Sequence, residues 1–354
     1  MKISKKVNGF RRAVMKSFTK NIGKTNYTLN RDNDIQIKKI LISRPNHRLG
    51  NLLLLTPLVE EVTNTFPDSK IDLFVKGNIA PILFQNYHNI DRIIQLPKKP
   101  FSSIIKYIIC WFKIRNRKYD LVINAIPSSS SGKLSTLFSN AYYKIYGEFN
   151  DEYQLEHSDY KHIAKQSIYT FRNFLKQINF DKREAKIPLL NIKLDKEEVE
   201  YGRKIINTIV PRDKNTICLF TNATGSKCYS ETWWNAFYEK LKFTFPDYNI
   251  IELLPIENIS RLGLKVPTYY TTNVREMGAF IANTNLFIAA DSGVMHLASA
   301  VGTSTIGLFS VTDENVYKPY GNKSIAINTN NIGYDEMIDL INIYLKNPFQ
   351  KKSI

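Results

Sequence analysis

The segment from Asn285 to Gly321, NLFIAADSGVMHLASAVGTSTIGLFSVTDENVYKPYG, constrains the fold more than any other part of the chain. An apolar β-type run from Leu286 to Ala290 meets Asp291-Ser292-Gly293 and continues as an apolar helix-like stretch through Val301. Gly302-Thr303 stops that stretch, and a second β-type run follows from Thr305 to Phe309. Such a strand–turn–helix–strand unit belongs to a parallel α/β sheet, which places its ligand site at the carboxyl ends of its strands. Asp291 and Ser292 fall at the strand tip and His296 about one turn into the helix, so all three can face one small volume. Gly293 lets a ligand approach the backbone closely.

The rest of the chain repeats this rhythm. Lys39–Ser43 reads as a buried strand, followed by a polar turn with one glycine and a helix from Leu52 towards Phe66, where Pro67-Asp68 ends it. Ile71–Val75, Ile93–Leu96 and Leu121–Ala125 read as further strands, and Phe101–Arg117 and His162–Ile178 as helices. Ser128–Ser131 with Gly132-Lys133 is either a flexible loop or a set of hydroxyls and a lysine for an anionic acceptor. The stretch from Asp181 to Asp195 reads as a crossing between domains. A second series then starts: strand Thr216–Phe220, helix Glu231–Phe245, strand Tyr248–Leu253, helix Val274–Ala282 and the segment above, with a last helix near Glu336–Lys346. The expected class is α/β, with two Rossmann-like domains facing across a cleft. The expected divisions are a basic segment 1–34, an N-terminal domain 35–185, a C-terminal domain 186–330 and a helix with a basic tail 331–354.

Charge and cysteine content limit partners and compartment. The net charge is +17. Residues 1–31 hold nine Lys/Arg (Lys2, Lys5, Lys6, Arg11, Arg12, Lys16, Lys20, Lys24, Arg31) and no acid, a balance that selects a polyanionic partner. On a helical wheel Ile3, Val7, Phe10, Val14, Phe18 and Ile22 share one face with lysines and arginines opposite, as in a helix lying on an anionic bilayer. The alternative is a helix packed on its own protein or a loose tail. No apolar region with a small-residue cleavage site marks a secretory signal, and no run is long and apolar enough to span a membrane. Cys110, Cys218 and Cys228 lack metal-ligand or disulfide spacing, which favours a reducing compartment; Cys110 and Cys218 read as core. No nucleic-acid reading motif accompanies the charge, so no nucleic-acid partner is expected.

Three loops in the second half each follow a strand. Asn222-Ala223-Thr224-Gly225-Ser226-Lys227 offers hydroxyls and a lysine suited to phosphate oxygens. Pro255-Ile256-Glu257 offers a carboxylate for a ribose diol. Asp291-Ser292-Gly293 with His296 completes the set. Singly each is also readable as a turn, a helix cap or a structural histidine; together they imply a nucleotide diphosphate site.

DSGVMHLASAVGTSTIGLF, followed by Thr312-Asp313 and Pro319-Tyr320-Gly321, resembles the C-terminal signature of the glycosyltransferase family 9 heptosyltransferases. Arg44, Gly50 and Thr56-Pro57 resemble the family's opening motif, Phe66–Ile71 its next helix-to-strand junction, and Thr224–Trp234 its middle motif, with Tyr229 where tryptophan is common. The resemblance spans about Ile37 to Gly321. It implies a GT-B fold and inverting, metal-independent transfer from a nucleotide sugar, typically ADP-heptose, to a lipopolysaccharide core acceptor. It also implies donor contacts by Thr224, Lys227, Glu257, Asp291, Ser292, Gly293 and His296. Arg44, Arg48 and Lys133 are the candidates for binding an anionic glycolipid acceptor. No cofactor or metal is expected.

One departure falls at the catalytic position. The family usually carries an aspartate after the opening glycine, and this chain has Asn51, in a turn one residue longer. An amide is no general base at neutral pH, whereas the imidazole of His47 is. The expectation is therefore a glycosyltransferase in which His47 or a carboxylate from elsewhere serves as base, or the acceptor differs, with Asn51 beside His47, peripheral at the cytoplasmic face of a bacterial inner membrane. The alternative is a catalytically silent nucleotide-sugar-binding homologue.

Overall fold

A computed structural model describes residues 17, 19–23, 36–98, 103–147, 151–180, 185–321 and 324–346. The amphipathic pattern of residues 1–31 lies almost entirely outside them. The chain divides into two compact units between Pro188 and Leu189.

The first unit contains β1 (Lys39–Arg44), α1 (Leu49–Leu53), α2 (Thr56–Thr65), β2 (Lys70–Lys76), α3 (Ala80–Leu83), β3 (Ile90–Leu96), α4 (Ile104–Arg115), β4 (Lys118–Asn124), α5 (Ser130–Phe138), β5 (Asn140–Ile145), α6 (Asp151–Glu156) and α7 (Ile163–Gln177). Its five strands run in the order β3-β2-β1-β4-β5, all parallel. β1 is buried from Ile40 onward because helices cover both faces of such a sheet. Strand order reverses between β1 and β4, so the turns after these two strands meet at the position where open α/β sheets take ligands.

The second unit contains α8 (Lys196–Ile209), β6 (Asn215–Phe220), α9 (Glu231–Thr244), β7 (Tyr248–Leu253), β8 (Thr268–Tyr269), α10 (Val274–Ala282), β9 (Leu286–Ala290), α11 (Gly293–Ala300), β10 (Thr305–Phe309), α12 (Glu314–Tyr317), β11 (Ile325–Asn328) and α13 (Tyr334–Lys346). The sheet order is β11-β10-β9-β6-β7-β8, again parallel, with its switch point between β6 and β9. Its core gathers Trp234, Phe237 and Leu241 of α9 with Ile217, Ile288 and Ile306 of the strands. Met337, Ile338 and Ile341 of α13 join the same core, so this helix packs into the second unit and does not stand apart with the tail.

Several expectations change. The helix placed at Leu52–Phe66 is two helices, because Pro57 has no amide for the carbonyl of Leu53; the Thr56 hydroxyl donates to that carbonyl instead, at 2.7 Å. The Ser128–Ser131 run is not a flexible loop. Ser129 caps α5 by accepting from the Gly132 amide at 3.1 Å, and a Cβ at Gly132 would lie 2.1 Å from Asn124 Oδ1, so the helix start presses on the tip of β4. Edge strands β5, β8 and β11 and helices α6 and α8 were unforeseen. α8 does carry a sequence signal, a capping box in which Asp195 and Glu198 satisfy each other's amides at 2.9 and 2.8 Å. Among the described residues no helix is long and apolar enough to cross a membrane.

Candidate active site

In the second unit the chain leaves β6 through a loop that turns at Gly225, where φ is +66° and a Cβ would meet nothing within 4 Å. Backbone conformation, not crowding, calls for glycine there. The turn aims Lys227 at the tip of β9, and its Nζ donates to Asp291 Oδ2 at 2.7 Å. The Thr312 hydroxyl, from the loop after β10, donates to the same oxygen. Three loops thus converge on a carboxylate whose side chain is only 6% exposed, where an unpaired charge would be costly. An ammonium carries three donors, so this pairing leaves Lys227 able to meet an anionic ligand; the Tyr317 ring centre lies 5.9 Å from Nζ.

Ser292 is the N-cap of α11 and accepts from the Met295 amide at 3.3 Å. That bond orients the first turn of α11, whose free amides favour negative charge. Gly293 opens the helix, and Thr224 is exposed at the start of the Gly225 turn. His296 is 4% exposed, so little of its imidazole meets solvent. Glu257 is exposed after β7 and accepts from Asn222 Nδ2 at 3.4 Å, at the long end of hydrogen bonding.

Sequence reasoning missed two residues of this region. Thr312 was read only as part of a family stretch. Glu252, fully buried at the end of β7, accepts from Thr221 Oγ1 at 2.6 Å, from Ser260 Oγ and from the Arg261 amide at 3.2 Å. It ties the loop after β6 to the loop carrying Glu257. Its signal was available: an acid in the otherwise apolar second half of a strand. Tyr229 stacks on Trp233 with ring centres 4.2 Å apart and shares a 2.8 Å hydrogen bond with Thr329, filling the position where the family usually has tryptophan.

In the first unit Arg44, 7% exposed at the end of β1, donates from Nη2 to Asn51 Oδ1 at 2.9 Å. The Asn51 side-chain oxygen is therefore committed as an acceptor. His47 is exposed on the turn between β1 and α1, its Cβ 3.1 Å from the place a Gly77 Cβ would occupy. Partial burial, then the positive charges of Lys76, Lys98 and Arg48, push its pKa below the usual histidine value. This shift favours the neutral imidazole, the form that can accept a proton. Arg48 is exposed beside it, while Lys133 sits after a different strand, on the first turn of α5.

The model of the family described as glycosyltransferase family 9 (heptosyltransferase) matches residues 269–337, which contain Asp291, His296 and Thr312. Across most of the chain there is similarity to a lipopolysaccharide heptosyltransferase 3 of Escherichia coli, at 25% identity over 78% of this chain and 85% of that protein. Both matches make the chain similar to the family 9 glycosyltransferases, most specifically in its C-terminal segment. A family 9 glycosyltransferase from Veillonella parvula superposes with a TM-score of 0.65 at 19% identity, covering 90% of this chain and 93% of that one. Escherichia coli heptosyltransferase WaaC, solved with ADP, gives 0.61 at 15% identity, covering 87% and 99%. These likenesses show the GT-B fold.

Proposed function

We propose that this transferase moves a heptose from a nucleoside diphosphate donor such as ADP-heptose to the core of a lipopolysaccharide, or to another lipid-linked surface glycan, with inversion and without a metal. The observation that carries the reading is the convergence of Lys227, Asp291 and Thr312 at the switch point of the second sheet. Open α/β sheets bind nucleotides at that position. The similarity to a lipopolysaccharide heptosyltransferase and to a fold solved with ADP supports the same donor class.

In this mechanism Lys227, Thr224 and the first amides of α11 meet the diphosphate, Glu257 accepts from the ribose diol, and Ser292, Gly293 and His296 border the sugar side. Asp291 holds Lys227 in place. The acceptor hydroxyl oxygen attacks the anomeric carbon while the bond to the diphosphate oxygen breaks and its electron pair leaves with the diphosphate. Lys227 and the helix amides stabilise that developing charge. Neutral His47 takes the acceptor proton. The cations around His47 oppose its protonation, and an anionic acceptor bound by Arg44, Arg48 and Lys133 would offset their charge.

A second reading, a nucleotide-sugar-binding homologue without turnover, is favoured by one observation: Asn51 stands at the usual aspartate position with its oxygen held by Arg44. Calorimetry with ADP-, UDP- and GDP-sugars, followed by transfer assays with and without EDTA on lipopolysaccharide core acceptors, tests both. Binding with EDTA-resistant transfer supports the enzyme, binding without turnover on any acceptor supports the homologue, and no binding removes both. The transferase would work at the cytoplasmic face of the inner membrane, held there by the basic amphipathic residues 1–31.

A further inference from the structure

Helix α4 has two apolar sides. Tyr107, Cys110, Trp111 and Ile114 recur at helical spacing and pack towards the sheet, with Cys110 and Ile114 in the core beside Phe74 and Val122. Ile105, Ile108, Ile109 and Phe112 recur at the same spacing nearly opposite them. These four, with Ile104, are 46% to 75% exposed. A helix on the surface of a soluble unit normally turns charged or polar residues outward; this one presents isoleucine and phenylalanine.

The apolar side is extended and bordered. Leu137 and Phe138 at the end of α5 are also exposed, and Trp111 meets Phe138 edge-on with ring centres 5.7 Å apart. A groove of about 410 Å³ between the two helices is lined by Trp111, Arg115, Leu134, Leu137 and Phe138. On the other side of α4 a groove of about 720 Å³ runs along edge strand β3, with Ile93, Ile109 and Cys110 among its apolar lining and Arg92, Lys106 and Lys113 among its cations. Residues 103–118 contain no acid. Arg117 is spent on Asp91 and Asp72, at 2.7 and 3.5 Å, but Lys106 and Lys113 flank the exposed stripe on one side and Arg115 on the other.

We infer that the outward side of α4, with the end of α5, is a docking surface for an anionic lipid bilayer, on which the apolar stripe enters the acyl boundary and the flanking cations meet headgroup phosphates. An apolar stripe between basic borders is the pattern of a helix lying in a membrane interface. The charge excludes a cationic partner, and the absence of acids leaves nothing to repel anionic lipid. This surface shares no residue with the segment 1–31 or with the donor loops, so its test does not depend on the transfer reaction.

The test uses the full-length chain in flotation with vesicles of phosphatidylcholine alone or mixed with phosphatidylglycerol. Two variants are compared with the parent: I105E/I108E/F112E, which changes only exposed side chains, and K106E/K113E. The expected result is binding to the mixed vesicles, weakened about tenfold or more by the triple change. The double charge reversal should weaken the preference for anionic lipid, to which the basic residues 1–31 also contribute. Unchanged circular dichroism and unchanged ADP-sugar binding in both variants show that the fold and donor site persist. The inference is overturned if the parent ignores anionic vesicles, binds neutral ones equally well, or is matched by the triple variant. It is also overturned if light scattering shows the parent to be an oligomer that the triple variant dissociates without loss of vesicle binding, since a second copy then covers this face.

Discussion

Lys227 and Asp291 are 64 residues apart in the chain, and their side chains meet at 2.7 Å. The contact exists because β6 and β9 are neighbours in the sheet although α9, β7, β8 and α10 separate them in sequence. It joins the loop that offers a cation to the strand tip that carries the most specific motif. The carboxylate holds the ammonium in position, so the rotamer entropy of the lysine is lost on folding and not again when an anion binds.

Removing each partner should have separate consequences. Lys227→Ala should lower kcat by about 100-fold or more, the scale of losing one donor to developing charge. Asp291→Asn keeps the lysine but weakens its anchor, a charge-assisted bond of about 1.5–3 kcal/mol, so donor Kd should rise about tenfold with a smaller change in kcat. Calorimetry and steady-state kinetics on both variants separate the effects; equal losses would contradict the division of roles.

The base assignment predicts a pH dependence. His47 has a pKa held below about 6.5, first by burial and then by Lys76, Lys98 and Arg48. The neutral form is the active one, so kcat/KM should be flat near pH 7–8 and fall as pH drops through that lowered value. His47→Ala should abolish this acidic limb and cut turnover by about 100-fold or more. A normal rate at saturating donor and acceptor would end the assignment.

Asn51→Asp distinguishes the two functional readings. Arg44 Nη2, now 2.9 Å from the amide oxygen, would pair with the new carboxylate and keep it ionised. With His47 as base, turnover should change by less than about tenfold. Appearance of transfer in the variant, where the parent has none, would establish the silent homologue.

Gly202 provides a stability test remote from the site. A Cβ there would lie 2.2 Å from the Ala279 carbonyl oxygen, because α8 rests directly on α10. Alanine gains about 1 kcal/mol of helix propensity over glycine, but separating two helix backbones costs about 1–3 kcal/mol or more. Gly202→Ala should therefore lower the denaturant midpoint without altering donor affinity measured on folded protein.

The chain by itself determined the α/β class, most strands and the strand–turn–helix segment around Asp291. Parallel strands buried on both faces are continuous apolar runs, and β7 and α10 were bounded correctly because apolar pattern and turn residues agree at their ends. Local polar chemistry was harder to read. The serines before Lys133 cap a helix, and Pro57 divides another, because a single hydrogen bond decides each case and neither changes the apolar pattern. Short edge strands such as β5 and β8 were missed because one side faces solvent and their apolar signal is weak.

Only the tertiary structure decided which polar residues share a site. It brought Thr312 and Lys227 to one oxygen of Asp291, placed Glu252 beneath the two neighbouring loops, tied Asn51 to Arg44 and surrounded His47 with cations. These relationships depend on strand order, which the sequence does not display, and on distances of a few ångströms between residues distant in the chain. The exposure of one side of α4 has the same origin. Its two apolar stripes are equivalent in sequence, and packing against the sheet determines which one remains at the surface.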